Sequence, residues 1–323
     1  MNKKGHGPAW ENSLFEDNAE FGLGMTLAQN AVRGRLAELT EKLIAVDYAT
    51  AEIKETGRKW IDTMADRVEN GPAAEAFIAA LEAGVIEGCE CEACTLAAKI
   101  LKDKDYLAKK SMWILGGDGW AYDIGFGGLD HALASGEDIN VLVFDTEVYS
   151  NTGGQASKST PCGSVAQFAA TGKATKKKDL AAIAMSYGYV YVAQVAMGAD
   201  MNQCIKAFSE AESYHGPSII LAYAPCINHG IKGGMGVSQL EEKKAVAAGY
   251  WHNFRFDPRR ADNGENPFQL DSKAPTASYR DFIMGEVRYN SLTRSFPERA
   301  EKLFANAEKY ATEKYEKLKK MAE

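Results

Sequence analysis

The sequence predicts an α/β protein built on a doubly wound, mainly parallel sheet, with a helical tail at its C-terminus. Three observations carry that expectation. Four apolar runs, Ser111-Met-Trp-Ile-Leu115, Asn140-Val-Leu-Val-Phe144, Tyr189-Val-Tyr-Val-Ala193 and Ser218-Ile-Ile-Leu-Ala222, are continuous rather than alternating, as strands covered on both faces must be. Helix-length sequence separates each run from the next. With 323 residues, 46% of them hydrophobic and 25% charged, the chain can also bury one large core.

In chain order, the start Met1-Asn-Lys-Lys-Gly-His-Gly-Pro8 has no apolar core of the kind a secretory leader needs. From Met25 the apolar positions Met25, Ala28, Val32, Leu36, Leu39, Leu43 and Val46 step by three and four, which predicts one long helix. After the breaker Asn70-Gly71-Pro72 a second helix is expected over Ala73 to Ala83, with an exposed polar stretch between the two. The four strands and their connections follow. Beyond Glu241 to Trp251 the chain turns irregular through Asp257 to Pro267 and ends in a charged helix from Pro297, expected to lie across the surface. The expected division is therefore an α/β domain over residues 1–255, with a helical part over about 18–110 and a core over about 111–250, followed by a surface segment over 256–323.

Composition removes several classes of function. A net charge of −7 and a pI near 5.5 argue against a nucleic-acid-binding face, which needs a basic surface. No run approaches the length of about 18 apolar residues that a membrane span requires. A cytoplasmic protein is expected. Its six cysteines, Cys89, Cys91, Cys94, Cys162, Cys204 and Cys226, form no secreted-disulfide framework.

The chemistry is concentrated after the first two strands. The first runs into Gly116-Gly117-Asp118-Gly119-Trp120, and ligands of open α/β sheets bind beyond the carboxyl ends of strands. Glycines let backbone approach a phosphate, but an aspartate about 4 Å from one would repel it by about 4 kcal/mol at an effective dielectric near 20. A cation between them removes the conflict, and Mg2+ suits a site of one or two protein oxygens completed by phosphate and water. The second strand ends in Asp145-Thr-Glu-Val-Tyr-Ser-Asn151, whose Thr146 stands 28 positions after Asp118. That cluster offers hydroxyl, carbonyl and amide groups. Taken alone Gly-Asp-Gly is a weak signal, and Asp118 could equally cap the following helix; Asn151 could be a plain turn residue before Gly153-Gly154.

Strand, Gly-Asp-Gly, helix, strand and an Asn-containing loop resemble the thiamine diphosphate motif, with Asp145-Thr146 where paired asparagines are usual. The stretch from Gly116 to His131, Asp145 to Gln155, Gly7-Pro-Ala-Trp10, Asn12-Ser-Leu-Phe-Glu-Asp17, Ala224-Pro-Cys-Ile-Asn228 and Asn266-Pro-Phe-Gln-Leu-Asp271 resemble the pyruvate:ferredoxin (flavodoxin) oxidoreductase family, so the likeness extends along essentially the whole chain. The resemblance implies the thiamine diphosphate-binding fold. It implies Mg2+ on the Asp118 carboxylate, the Thr146 hydroxyl and the Val148 carbonyl, with Gly117, Asp118, Gly119, Trp120, Thr146, Glu147, Val148, Tyr149, Ser150 and Asn151 lining the cofactor and Asn151 facing the reacting carbon. It further implies decarboxylation of pyruvate in an anaerobic cytoplasm, single electrons passed to iron-sulfur clusters and on to ferredoxin or flavodoxin, and acyl transfer to coenzyme A. Cys226 becomes one thiolate of a four-iron cluster whose other ligands this sequence does not contain. The remaining domains or subunits of a homodimeric enzyme are thus implied partners, and the chain alone is expected to be a folded but catalytically incomplete fragment.

Other features read blandly. Cys89-Glu-Cys-Glu-Ala-Cys94 has ligand-like spacing but no fourth partner nearby, and Cys162 and Cys204 read as free thiols. Gly172-Lys173 lacks the glycine and hydroxyl of a P-loop, Tyr122 stands where a dinucleotide fingerprint has its third glycine, and the five histidines show no metal spacing. Lys176-Lys-Lys178 is expected to be a solvated charge run.

Overall fold

A computed structural model describes residues 7–86 and 88–323; Met1 to His6, read above for a leader, lie outside the described residues. The chain divides into two compact units, one running up to Gly22 and from Trp113 to Glu323, the other Leu23–Met112. Helix α1 (Asn18–Ala45) runs from the first into the second.

The second unit also holds α2 (Ala51–Asp62), α3 (Asn70–Gly84) and α4 (Glu92–Lys102) around a core of Leu36, Leu43, Ile53, Trp60, Phe77, Leu81 and Ile100. The expected exposed stretch is in fact α2, capped by Thr50 and burying Ile53, Gly57 and Trp60. Pro72 does not precede α3 but sits in its first turn, where a missing N–H costs no helix bond. The stripe on α1 is also displaced: Met25 and Ala28 are exposed, whereas Thr26, Arg33 and Thr40 are buried with Leu36 and Leu43. The Arg33 guanidinium explains this. It donates to the Tyr106, Leu107 and Met64 carbonyls at 3.1, 2.5 and 2.8 Å, so a charged residue occupies an interior position.

The first unit is the α/β body. Strand β1 (Trp113–Gly117) leads through a π-helical turn, Gly119–Ile124, into α5 (Phe126–Ala134) and β2 (Asn140–Asp145). A long connection and the short α6 (Leu180–Met185) lead to β3 (Tyr191–Val195), then α7 (Met201–Ser213) and β4 (Ser218–Tyr223). After α8 (Ser238–Ala247) come β5 (Phe254–Phe256), α9 (Arg259–Asp262), β6 (Phe268–Leu270), α10 (Tyr279–Ile283), α11 (Val287–Ser295) and α12 (Pro297–Ala322). The sheet order is β1-β2-β4-β3-β5-β6. Its first four strands are parallel, as expected; β5 and β6 add an antiparallel edge.

That edge corrects the expected boundary, because β5 spans residue 255 and β6 lies in the segment assigned to the surface. Nor does the last helix merely lie across the surface. Ala300, Leu303, Phe304 and Ala307 of α12 join Cys162, Tyr223, Trp251, Tyr289 and Leu292 in one core. No helix of the described residues is long and apolar enough to cross a membrane.

Candidate active site

Parallel neighbours β1 and β2 are paired Gly117 to Phe144, so their exits emerge side by side and place Asp118 next to Asp145 and Thr146. Asp118 is fully buried. Its Oδ1 accepts from the Thr146 amide at 3.1 Å and the Thr146 hydroxyl at 2.7 Å, while Oδ2 accepts from the Ser157 hydroxyl at 2.6 Å. Thr146 Oγ1 also stands 3.0 Å from the Val148 carbonyl oxygen. The hydroxyl has one proton and two acceptors in reach, which leaves three oxygens crowded together with an excess of lone pairs. The edge of an octahedron with Mg–O near 2.05 Å is about 2.9 Å, so oxygens 2.7 and 3.0 Å apart fit neighbouring positions around such an ion. Burial, and then the nearby Asp145, push the Asp118 carboxyl up to about 7 against the hydrogen bonds from Ser157 and Thr146. A divalent cation would reverse that balance.

The glycines do steric work. A Cβ on Gly119 would lie 2.5 Å from the Tyr149 ring, so only glycine lets this backbone lie on that aromatic face. Trp120 is buried beneath Gly116 and Gly125, where added Cβ atoms would come within 2.4 and 2.1 Å of its ring. It belongs to the core under the loop, with an indole N–H that has no partner among the described residues.

Glu147 is placed differently from its neighbours. Its backbone is left-handed at φ 60°, and its side chain is buried away from the open side of the loop. It pairs with Lys177 at 2.9 Å and Arg288 at 2.8 Å and accepts from the Tyr250 hydroxyl. Burial alone would raise this carboxyl, yet Lys177 and Arg288 hold it down at about 2. Lys177 also pairs with Asp145 at 2.9 Å, and Asp145 accepts from Tyr122 at 2.7 Å and from Ser159. Lys177 is therefore not part of a solvated run. Burial would lower its ammonium, but Asp145 and Glu147 outweigh burial and hold it above its ordinary value.

Tyr149 to Gln155 form a tight turn, in which the Tyr149 amide donates to the Gln155 carbonyl and Gly154 to Tyr149. Ser150 and Asn151 are exposed at its tip. Gly154, at φ 84°, lies so close to Asn228 that a Cβ would approach it to 2.9 Å, which sets the turn against the Cys226 segment. Cys226 is buried. His229 joins the two segments: its Nε2–H donates to the Thr146 carbonyl at 2.7 Å, and the Cys226 amide donates to its Nδ1 at 3.4 Å. Burial lowers this imidazole to about 3, consistent with the neutral tautomer those bonds require.

The structure thus gathers Asp118, Thr146 and Val148, sets Gly117, Gly119, Tyr149, Ser150 and Asn151 around them, and brings Cys226 alongside. It draws Trp120 and the Glu147 side chain into the packing behind. Ser157, Tyr250 and Arg288 went unread, His229 was weighed only for metal spacing, and Lys177 was seen only as part of a charge run. A hydroxyl or lone charge in a loop carries no periodic signal, and only the Lys176–Lys178 run was visible.

Residues 93–222 match the family described as thiamine pyrophosphate enzyme, C-terminal TPP binding domain, thiamine pyrophosphate being thiamine diphosphate. Over 323 residues, 100% of this chain and 27% of the relative, the sequence is 57% identical to pyruvate:ferredoxin oxidoreductase of Moorella thermoacetica. It is 52% identical to pyruvate-flavodoxin oxidoreductase of Klebsiella pneumoniae, over 99% of this chain and 27% of the relative. It is 47% identical to a mitochondrial NADP+ pyruvate dehydrogenase of Euglena gracilis, over 100% of this chain and 18% of the relative. The chain spans about a quarter of the length of the first two of these curated relatives. The matched segment, the parallel sheet and the acidic loop at its carboxyl edge agree: residues 93–222 carry a thiamine pyrophosphate-binding segment, and the whole chain is similar to pyruvate:ferredoxin and pyruvate-flavodoxin oxidoreductases.

Proposed function

We propose that the domain holds thiamine diphosphate through one Mg2+ ligated by the Asp118 carboxylate, the Thr146 hydroxyl and the Val148 carbonyl. The observation that carries this reading is the spacing of those three oxygens, 2.7 and 3.0 Å along two edges, about that of an Mg2+ octahedron. Gly117 and Gly119 would admit the diphosphate close to the backbone. Tyr149, Ser150 and Asn151 form the open side, with the Asn151 amide directed at substrate. Bound there, thiamine diphosphate supplies the carbon nucleophile and electron sink that decarboxylation of a 2-oxoacid requires. The chain's own part is to fix the ion, exclude water behind Trp120, and hold the ligand loop rigid through Glu147, Lys177 and Arg288.

In the whole enzyme we infer oxidative decarboxylation of pyruvate to acetyl-coenzyme A and carbon dioxide. Electrons would leave through an iron-sulfur cluster that takes the Cys226 thiolate as one ligand, towards ferredoxin or flavodoxin. The names of the relatives support pyruvate as the oxidised substrate. The further cluster ligands and the other catalytic groups would come from the remaining domains of a homodimeric assembly. Calorimetric titration of the chain with thiamine diphosphate tests the site: saturable one-to-one binding with Mg2+ and none with chelator is expected, and equal binding in both conditions refutes the ion's role.

A further inference from the structure

The second compact unit contains a cluster that the thiamine diphosphate site does not use. The sulfurs of Cys89, Cys91 and Cys94 all lie within 4.8 Å of one another. Local backbone brings them together. Gly88, in the left-handed region at φ 75°, turns the chain after α3, and the Cys89 amide donates to the Ile86 carbonyl at 3.1 Å. Cys91 is the N-cap of α4, its sulfur accepting from the Cys94 amide at 3.4 Å. A sulfur at that position is set up to be a thiolate, because helix N-termini favour negative charge and a lowered thiol pKa is the usual consequence. Cys94 is buried, while Cys89 and Cys91 are half-exposed.

We propose that Cys89, Cys91 and Cys94 form a three-thiolate site for one thiophilic divalent ion of the Zn2+ class, with its fourth position open to solvent or a small thiol. Size decides between a single ion and a cluster. With metal–sulfur bonds of about 2.3 Å, the sulfur–sulfur edge of a tetrahedral site is about 3.8 Å, which this trio reaches by closing about 1 Å at most. Thiolates bound to different irons of a four-iron cluster must stand farther apart. Softness decides the class of metal: three sulfurs, with no carboxylate or imidazole in the group among the described residues, favour Zn2+ over Mg2+ or Ca2+. The half-exposure of Cys89 and Cys91 leaves the fourth position on the solvent side. Each ligand binds as a thiolate, so two protons leave as one ion enters if Cys91 is already ionised and three if it is not. The ion would clip the α3–α4 connection to the start of α4, independently of the thiamine diphosphate site.

The test uses the full 323-residue chain, reduced and freed of metal, titrated with Co2+ alone and then displaced by Zn2+. One Co2+ per chain, with tetrahedral thiolate absorption and release of about two to three protons, is expected. Cys89→Ser and Cys91→Ser should each weaken binding at least about 100-fold, and Zn2+ should protect both thiols from alkylation. Cys162→Ser, in the other unit, should change nothing. Absence of the tetrahedral signal, binding that survives both substitutions, binding that instead requires Cys226, or uptake of four irons would each overturn the site.

Discussion

Replacing Asp118 by asparagine separates the metal site from the fold. The amide keeps an oxygen for the Thr146 amide and hydroxyl, now at 3.1 and 2.7 Å, and its NH2 can donate to the Ser157 oxygen, now at 2.6 Å, so the loop's hydrogen bonds survive. What is lost is one charge on the ion. Removing one partner of a buried charge pair costs about 3–5 kcal/mol, which corresponds to roughly two to three and a half decades of Mg2+-dependent thiamine diphosphate affinity. Stability should move the other way. Because burial and Asp145 raise this carboxyl to about 7, the folded metal-free chain holds its proton more tightly than the unfolded one. Its contribution to stability therefore falls as pH rises from about 4 to about 7. At pH 8 without metal, Asp118→Asn should melt at or above the wild-type temperature. Calorimetry with and without Mg2+, beside thermal melts, reads both effects. An affinity within tenfold of wild type in a folded variant would refute the assignment of Asp118 to the ion.

Thr146→Val should weaken cofactor binding less than the Asp118 change, by about tenfold, since a neutral ligand is removed and water can take its place; a larger loss than that of Asp118→Asn would reverse the ranking. Asn151→Ala should leave cofactor affinity within about threefold of wild type and lower kcat in the assembled enzyme, because it lies at the exposed tip of the turn; equal losses in binding and rate would contradict that division. Arg288→Met should destabilise the chain by up to about 3–5 kcal/mol, because it takes one of two cations from Glu147, which keeps Lys177, and removes the ion-pair partner of the buried Glu286, while the double change with Glu147→Gln should cost less than the sum of the two single changes, as denaturant melts would show. Glu147, held at about 2, contributes stability that is present above the unfolded carboxyl value and lost as pH falls from about 4.5 towards 2, so Glu147→Gln should flatten that limb of the acid-unfolding curve.

The parallel core was legible because four strands buried on both faces have little choice but to be apolar throughout. The meeting of Asp118 with Thr146 was legible through the strand–Gly-Asp-Gly–strand arrangement, since two adjacent strand exits must converge. Strands β5 and β6 were hidden: each has three residues, and β5 carries Arg255, whose charge is neutralised by Glu210 and Asp271 at 2.7 and 2.8 Å. Arg33 misled the reading of α1 in the same way, as a charge made compatible with burial by carbonyls more than thirty positions away. Glu147 was read as part of the loop that lines the cofactor, without the direction of its side chain, which depends on partners from α11 and from before α6.

The Glu147–Arg288 pair joins residues 141 positions apart, and it clamps the residue that separates Thr146 from Val148. Contacts of such separation close late, since a long loop must be pinned before they form. During synthesis the chain would therefore assemble its parallel strands while the two oxygens flanking Glu147 still lacked their fixed spacing. Competence to take up the ion would arrive only with α11, as one of the last events of folding. A destabilising change in that helix should then be felt first as slow or incomplete cofactor loading, before any loss of the sheet.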